Sequence, residues 1–272
     1  MAFSDLFFLL QREGYVTRSC ICTGLTEVRN ANLEEKGKYY TGFFQLAIGI
    51  ERLIKLALIL DYMVLHNLTA PGAKTVRAYR HDLDVLYQSA ERVAAAQYSR
   101  IAGRFVLSPL ASRILNFLSD FAQGARYANL DSLASGTANR EPLIEWSKIL
   151  KDVLNSDVSK AKLQRIMSES VALSSLISGI TMVLAHDLEN KPLSVESALS
   201  EPRLQAEANR YVVWHIVLLI APLKELVIEL ARKASEINLK HTTSVMHIPE
   251  MSEFFSFLLV DRAYILRKKR WP

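Results

Sequence analysis

Apolar residues that recur every three or four positions constrain the fold of this chain most strongly. Between Tyr39 and Met63, one helical face carries Phe43, Ala47, Ile50, Ile54, Ala57 and Leu58. Such a stripe is typical of a core helix, and no stretch longer than a few residues alternates as an exposed strand would. Only ten Gly and eight Pro occur in 272 residues, which disfavours a turn-rich all-β fold. We therefore predict an all-α protein, a helical bundle of two packed lobes.

The same periodicity predicts further helices. Val76–Gln97 is predicted as one helix, and Ser108 followed by Pro109 is typical of the start of another, which runs to Ser135. Beyond the polar stretch Ser135–Arg140 we expect four more helices, over Pro142–Leu154, Lys160–Leu184, Arg203–Ile237 and Pro249–Arg267. We accordingly expect two domains, a bundle over residues 1–135 and a C-terminal lobe with a basic tail over residues 140–272.

The most apolar segments are too short or too charged to predict a membrane span. Phe43–Leu60 contains Glu51, Arg52 and Lys55, and Tyr211–Leu223 contains His215 and stops at Lys224. A span needs about 20 predominantly apolar residues. No export signal is evident at the N-terminus. We therefore expect a soluble, cytoplasmic protein without a membrane partner.

The two cysteines and the absence of cofactor motifs limit the disulfide, metal and cofactor chemistry expected of this chain. Cys20 and Cys22 are one residue apart, a spacing poorly suited to a disulfide, so we expect reduced thiols, with a redox pair as the alternative. No Gly-rich phosphate loop, zinc-binding spacing or nucleophile elbow occurs in the sequence. We expect neither a metal nor a cofactor.

One candidate site combines polar residues of two predicted helices. Glu51 and Lys55 stand one helical turn apart, and Arg77, His81 and Asp84 share a face of the next helix. If the helices pack as an antiparallel hairpin, these edges meet around a titratable imidazole. The alternative is an ordinary array of salt bridges between helices.

Arg210 and His215 form a second candidate site. They lie in a helix that is otherwise hydrophobic on every side, so His215 cannot simply face water. Either His215 is a core histidine with a polar partner, or it lines a cleft in which imidazole chemistry occurs. Pro222 in the same run is expected to kink the helix and free a backbone carbonyl.

Basic residues supply candidate contacts to nucleic acid. The net charge is +5, and cations cluster at the C-terminus as Arg267, Lys268, Lys269 and Arg270. Such a cluster could bind a polyanionic partner. Alternatively, the cations are solvated and only stabilise the C-terminus of a helix. Arg126 beside Tyr127 could present a guanidinium and an aromatic face to a base or phosphate, although a helix end also explains this segment.

The predicted Lys160–Leu184 helix carries a stripe of small residues. Ser168, Ala172, Ser175 and Gly179 fall on one line along it. Because these side chains are small, another helix can approach closely along this line.

The first half of the chain resembles the HEPN superfamily of helical bundles. The resemblance covers about residues 15–135. It is carried by Tyr39-Tyr40 leading into the segment from Gly49 to Lys55, and by Arg80-His81-Asp82-Leu83, a His-Asp-Leu element like the one that opens the second core helix of many members.

That resemblance implies a function. Active HEPN ribonucleases place an Arg, four to six residues, then a His on one helix, and use the pair on the RNA 2′-hydroxyl and the scissile phosphate. Arg210–His215 has this spacing outside the resembling segment, whereas Arg77–His81 lies inside it with three intervening residues. Such families often belong to bacterial or phage conflict and stress systems, and many members are inactive binding modules.

Together these observations lead to one expectation and two rivals. We expect a HEPN-like protein that binds RNA, or a protein partner from the same operon, in a prokaryotic defence or stress system. One rival is a metal-independent endoribonuclease that uses Arg210 and His215, or His81 and Glu51 with Arg77, and is completed by dimerisation. The other rival is a non-enzymatic oligomeric scaffold. A homo-oligomer is expected.

Overall fold

Helix dominates the computed structural model, which describes residues 2–135, 141–241 and 244–272. The all-α prediction is confirmed; the described strands are one parallel pair, with Ala2 opposite Val245 and Phe3 opposite Met246. The elements are β1 (Ala2–Phe3), α1 (Asp5–Asn30), α2 (Gly37–Leu65), α3 (Ala73–Ala78), α4 (Leu83–Gln97), α5 (Ser99–Ala102), α6 (Pro109–Gln123), a 3₁₀ turn (Ala125–Tyr127), α7 (Ala128–Ser135), α8 (Pro142–Asp157), α9 (Lys160–Ile177), α10 (Val195–His241), β2 (Val245–Met246), α11 (Ser252–Phe255) and α12 (Arg262–Arg267).

Helix α2 runs through the centre of the core. Its neighbours include α1, α4, α6 and α10, and its Phe43 ring contacts Trp146 of α8 at 4.7 Å between centroids. Residues from both predicted domains, 1–135 and 140–272, contribute to one hydrophobic cluster. A buried polar link also joins the two segments: Tyr39 donates to Asn209 at 3.1 Å, and Asn209 donates to the Ala31 carbonyl at 2.8 Å.

The segment predicted as one helix over Val76–Gln97 is broken, and this prediction was wrong. Helix α3 ends at Ala78, and Arg80 has a left-handed backbone with a φ of 55°. The carboxylate of Asp82 then accepts from the backbone of Asp84 and Val85 at 3.0 and 3.1 Å, which caps α4. The local capping hydrogen bonds of an aspartate therefore outweigh the apolar periodicity.

Other predicted helix limits also need correction. The serine cap at Ser108 is confirmed, with Ala111 N donating to its hydroxyl at 3.2 Å, but α6 ends before Gly124 and a 3₁₀ turn follows. Helix α9 ends at Ile177, earlier than predicted. Helix α10 begins at Val195, earlier than predicted, and continues through Pro202 and Pro222. The segment predicted as one helix over Pro249–Arg267 forms the two short helices α11 and α12.

Helices α1 and α2 approach each other at three glycines. A Cβ added to Gly24 would lie 2.6 Å from Leu46 Cγ and 2.9 Å from the Leu46 backbone nitrogen. One added to Gly42 would lie 2.6 Å from Val28 Cγ2, and one added to Gly49 would lie 2.7 Å from Ile21 Cγ1. These distances leave no room for a side chain, so the two helices pack backbone against side chain along their length.

Helix α10 is the one described helix long and apolar enough to cross a membrane by length and composition. In its most apolar window, 67% is buried inside the protein. Burial on all sides is typical of a core helix. Pro222 is among the buried residues, and the helix continues through it to His241.

Replacement of Gly49 by alanine should destabilise the protein. Gly49→Ala places a Cβ 3.0 Å from the backbone nitrogen of Ile21. Such overpacking costs about 1–3 kcal/mol, whereas alanine returns at most about 1 kcal/mol of helix propensity. Urea unfolding followed by circular dichroism measures the change.

Gly37→Ala is the matched control in the same helix. Nothing lies within 4 Å of a Cβ added there, so its stability should stay equal or rise slightly. Equal unfolding free energies for Gly49→Ala and the wild type would contradict the close approach of α1 and α2.

Candidate functional site

A groove of about 1300 Å³ lies beside α2, enclosed by α1, α3, α4 and the end of α6. Its lining from α2 includes Phe44, Ala47 and Ile48, and Leu9 of α1 and Val85 of α4 contribute further apolar surface. Most of the side chains that line it are apolar, with a small number of charged groups among them. A concave apolar surface with a few convergent polar groups is the usual form of a binding site.

Glu51, Lys55 and His81 converge in this groove. Glu51 Oε1 accepts from Lys55 Nζ at 2.8 Å and lies 2.9 Å from His81 Nδ1. The side chains of Glu51 and Lys55 are each 18% exposed, whereas that of His81 is 75% exposed. The imidazole therefore projects toward solvent from a carboxylate that is largely buried and held by a lysine.

The turn between α3 and α4 positions His81. The residue follows Arg80, with its left-handed backbone, and precedes Asp82, the cap of α4. The start of α4 is fixed further by Leu83 N, which donates to Ser119 Oγ of α6 at 3.0 Å. Glu51 and Lys55 need no such arrangement because they are neighbours on one face of α2.

The contact with Glu51 orients the His81 ring and leaves its other nitrogen toward solvent. A carboxylate can only accept, so Nδ1 carries the proton in the contact with Glu51 and the neutral ring leaves Nε2 as its acceptor. Carboxylates that orient an imidazole in this way occur in many general acid–base sites. Lys55 places a positive charge next to the pair.

A basic rim borders the groove. No acidic residue lies between Asp61 and Asp82, and the exposed cations Lys74, Arg77 and Arg80 fall in this interval. On the groove's other side Arg126 lies over the Tyr127 ring at 4.9 Å from its centroid. Within the described residues, none of these four cations forms a salt bridge with a carboxylate.

Two members of the predicted polar face do not join the cluster. Arg77 lies in α3, before the break, and does not line the groove. Asp84 belongs to a separate group: burial, together with the charges of Asp82 and Asp120, raises the pKa of its carboxyl group. The expected single face was wrong for these residues because the helix is broken between them.

Arg210 and His215 do not form one site. Arg210 Nε donates to the Leu266 carbonyl at 3.1 Å, and its guanidinium pairs with Glu207 at 3.1 Å. His215 is 8% exposed, and its Nε2 lies 3.1 Å from Asp157 Oδ2 at the end of α8. Each side chain thus has its own structural partner. Of the two readings of His215, the geometry favours the core histidine with a polar partner.

The basic C-terminus is anchored by its backbone. Arg29 Nε donates to the Lys268 carbonyl at 3.2 Å, and Asn30 Nδ2 donates to the Lys269 carbonyl at 2.8 Å. Trp271 is buried and donates from its backbone to Thr26 Oγ1 at 3.0 Å. The side chains that remain exposed are Arg267, Lys269 and Arg270.

The tail and the groove lie at opposite ends of α1. The tail contacts the helix at Thr26 and beyond, and the groove includes Leu9 and Glu13. Thirteen residues of helix, from Glu13 to Thr26, span about 20 Å. The tail cations are therefore separate from the basic rim, and each can be tested alone.

Sequence reasoning missed the rim as a candidate site. Lys74 and Arg80 were not singled out, although the stretch without acidic residues between Asp61 and Asp82 was visible. It also missed the pair of Arg52 with Glu13 at 2.8 Å, which joins α2 to α1 in the groove and which only tertiary packing brings together.

No family model, curated protein or solved structure matches the chain. The relation to the HEPN superfamily therefore stays a prediction. Among the described residues, no group of three or more His, Cys, Asp or Glu side chains is placed to hold a metal ion. Cys20 and Cys22 are free thiols. Burial raises the pKa of the Cys22 thiol to about 11, which keeps it protonated near neutral pH.

Replacement of Arg210 should loosen the C-terminal segment. Arg210→Met removes the donor to the Leu266 carbonyl and the pair with Glu207. Hydrogen bonds to charged groups contribute about 1.5–3 kcal/mol to stability. Because this side chain is partly exposed, we expect the free energy of unfolding to fall by an amount near the lower value. Urea unfolding measures it, and amide hydrogen exchange over Arg262–Trp271 should accelerate.

Arg203→Met is the control, since Arg203 pairs with Glu169 at the surface. Its stability should change by no more than about 0.5 kcal/mol. Unchanged exchange in the C-terminal segment of Arg210→Met would show that the arginine does not hold it.

Proposed function

We propose that this protein binds single-stranded RNA in the groove beside α2. The observation that carries the proposal is the basic rim: Arg80 lines an open groove that contains an exposed imidazole, His81, and Lys74 and Arg77 are exposed on α3, whose Val76 and Ala78 line the same groove. Phosphate contacts supply most of the affinity in nucleic-acid binding, and cations without carboxylate partners are free to make them.

The cations of the rim are better placed to contact phosphates than the other charged residues of the groove. Arg52 is paired with Glu13 and Lys55 with Glu51, so their charges are largely neutralised. Arg80 and Arg126 also line the groove, and in the described residues neither has a carboxylate partner. A strand that follows the groove would meet Arg80 at one wall and Arg126 at the other.

The apolar lining suits unstacked bases. The partly exposed Phe44 and Tyr79 line the groove, and Arg126 lies over Tyr127 at its margin. Bases stack on aromatic side chains and on guanidinium planes with little dependence on sequence. An A-form duplex displays its bases less openly, so a single strand is the better fit.

Cleavage of the bound strand is a second candidate function, favoured by the contact of His81 with Glu51. In such a reaction His81 Nε2 accepts the proton of the ribose 2′-hydroxyl, and the 2′-oxygen attacks the adjacent phosphorus. The bond from phosphorus to the 5′-oxygen breaks, and the leaving oxygen takes a proton from water. The products are a 2′,3′-cyclic phosphate and a 5′-hydroxyl.

A protein partner is the rival occupant of the groove. Its apolar floor could receive an amphipathic helix. The basic rim favours RNA, because a helical partner would need acidic residues at matching positions. The defence or stress context, a partner from the same operon and a cytoplasmic location rest on the sequence analysis alone and remain part of the proposal.

Binding should depend steeply on salt through the rim. In the triple variant Lys74→Ser, Arg77→Ser, Arg80→Ser, three phosphate contacts are lost. The log–log slope of affinity against salt should flatten by about 2, since each phosphate on a single strand contributes about 0.7. Fluorescence anisotropy with a labelled oligoribonucleotide, from about 50 mM salt upward, measures the slope.

A matched triple variant of the tail, Arg267→Ser, Lys269→Ser, Arg270→Ser, removes the same charge from residues that do not line the groove. It should leave the slope close to that of the wild type. Flattening only in the tail variant would move the site to the C-terminus, and no binding by the wild type at about 50 mM salt would end the RNA proposal in favour of a protein partner.

Cleavage should depend on His81. His81→Ala should lower the cleavage rate by roughly a hundred- to ten-thousand-fold with little change in affinity, because general acid–base catalysis acts on rate. His66→Ala is the control, since His66 is an exposed histidine stacked on Tyr62 outside the groove. A substrate with 2′-deoxyribose at the scissile position should resist cleavage.

The outcomes separate the two functions. Binding without cleavage by the wild type would retain the RNA-binding proposal and remove the catalytic one. Cleavage that persists in His81→Ala at the wild-type rate would assign the activity to another residue or to a contaminant.

A further inference from the structure

The outer face of α9 and the segment after it expose large apolar side chains. Leu176, Ile180, Met182 and Leu184 are 77%, 87%, 80% and 84% exposed, and Val171 and Leu173 are about half exposed. No charged residue occurs from Ser170 to Ala185. A contiguous apolar patch of this kind is unusual on a monomer and commonly marks an interaction surface.

The orientation of α9 on the protein leaves this face uncovered. Its inner side is fixed to α10 by buried Ile166, by the salt bridge of Lys162 with Glu207 at 3.0 Å and by that of Glu169 with Arg203. The line of small residues on the opposite side is exposed throughout. Among the described residues no other helix of the chain packs on this line, so it is accessible to a helix of another molecule.

The exposed face is self-complementary. Its small residues are Ser168, Ala172 and Ser175 of α9 and Gly179 in the turn that follows Ile177. They are spaced by four, three and four positions, so the series is the same in both directions. In an antiparallel pair related by a two-fold axis, Ser168 of one copy lies opposite Gly179 of the other. Ala172 then lies opposite Ser175. The flanking Val171 and Leu176 likewise exchange places.

We propose that this face binds a second copy of the chain, as an antiparallel pair of α9 helices about a two-fold axis. A two-fold interface uses the same patch on both copies, so self-complementarity is its main requirement. Small residues along the contact line allow close approach of the helices, and the large apolar residues on either side are covered by the partner.

The size of the face fits a weak dimer. An 18-residue helix is about 27 Å long and about 10 Å across, and the apolar segment after Ile177 extends it. Two such helical faces together cover about 540 Å², which is below the range for stable protein interfaces. We therefore expect a weak, reversible dimer that forms at tens of micromolar.

Charge supports the antiparallel arrangement. Arg165 is on the outer side of α9 near its N-terminus and is 62% exposed, with its nearest carboxylate, Glu169, at 3.9 Å. In the antiparallel pair it lies beside the C-terminal end of the partner's α9. Unpaired backbone carbonyls at a helix C-terminus attract cations. A parallel pair would instead bring the two Arg165 side chains together.

Sedimentation velocity over a range of protein concentrations tests the dimer. The wild type should sediment as a dimer at tens of micromolar, and Ala172→Arg should remain a monomer, with its dissociation constant raised at least a hundredfold. Ala172 is exposed, so the variant keeps its fold, which circular dichroism checks. Val106→Arg, at an apolar residue 80% exposed elsewhere, is the matched control and should dimerise normally.

Disulfide trapping tests the register. Ser168→Cys and Gly179→Cys proteins, mixed and oxidised, should form a cross-linked heterodimer, whereas each alone should not. In the antiparallel pair the two copies of position 168 are about 16 Å apart along the helix axis, beyond the reach of a disulfide. Cys20→Ser and Cys22→Ser in both proteins remove the native thiols, and a Cβ at Gly179 has open space.

Each outcome bears on the proposal. A wild type that stays monomeric at tens of micromolar would overturn it. A monomer that instead floats with phosphatidylcholine vesicles would assign the face to a membrane surface. Cross-linking of Ser168→Cys with itself would replace the antiparallel pair by a parallel one.

Discussion

The close contact of α1 with α2 is the constraint on which the rest of the structure depends. Gly42 and Gly49 are seven residues apart, so they lie on one face of α2, and Gly24 completes the contact from α1. Because this face of α2 packs against α1, its other faces pack against α4, α6 and α10. The groove lies along a further part of α2, where Phe44, Ala47 and Ile48 line it together with the polar edge of Glu51 and Lys55.

The break between α3 and α4 turns that polar edge into a candidate site. A continuous helix over Val76–Gln97 would have presented His81 as one residue of a regular surface. The left-handed backbone of Arg80 and the cap at Asp82 end one helix and begin another, and His81 projects from the turn between them onto Glu51. The same break separates Arg77 from Asp84, which the sequence pattern had placed together.

Prediction from the sequence succeeded where a single physical effect dominates. Apolar periodicity was sufficient for the helical class and for the interior helices, and the serine cap at Ser108 was recognised from local chemistry. The meeting of Glu51 with His81 was anticipated as one outcome of helix packing. It could not be derived, because it depends on the position of a turn whose residues also fit a helix.

Prediction failed where contacts between residues distant in sequence determine the partner of a side chain or the exposure of a helix face. Arg210 and His215 have a spacing that suggests a joint site, but tertiary packing gives each a different partner. The small-residue line on α9 was predicted to allow close approach of another helix, and only the structure shows that the chain leaves it exposed. Exposure of a face is a property of the whole fold and has no signature in the helix itself.

The central claim is that RNA occupies the groove beside α2, and photo-cross-linking locates the strand directly. An oligoribonucleotide that contains 4-thiouridine is irradiated with the wild-type protein, and the attached peptides are identified by mass spectrometry. The account predicts cross-links on the rim and walls of the groove, within residues 74–85 and 121–127. Cross-links confined to residues 262–272, or none from a bound oligonucleotide to the groove, would contradict it.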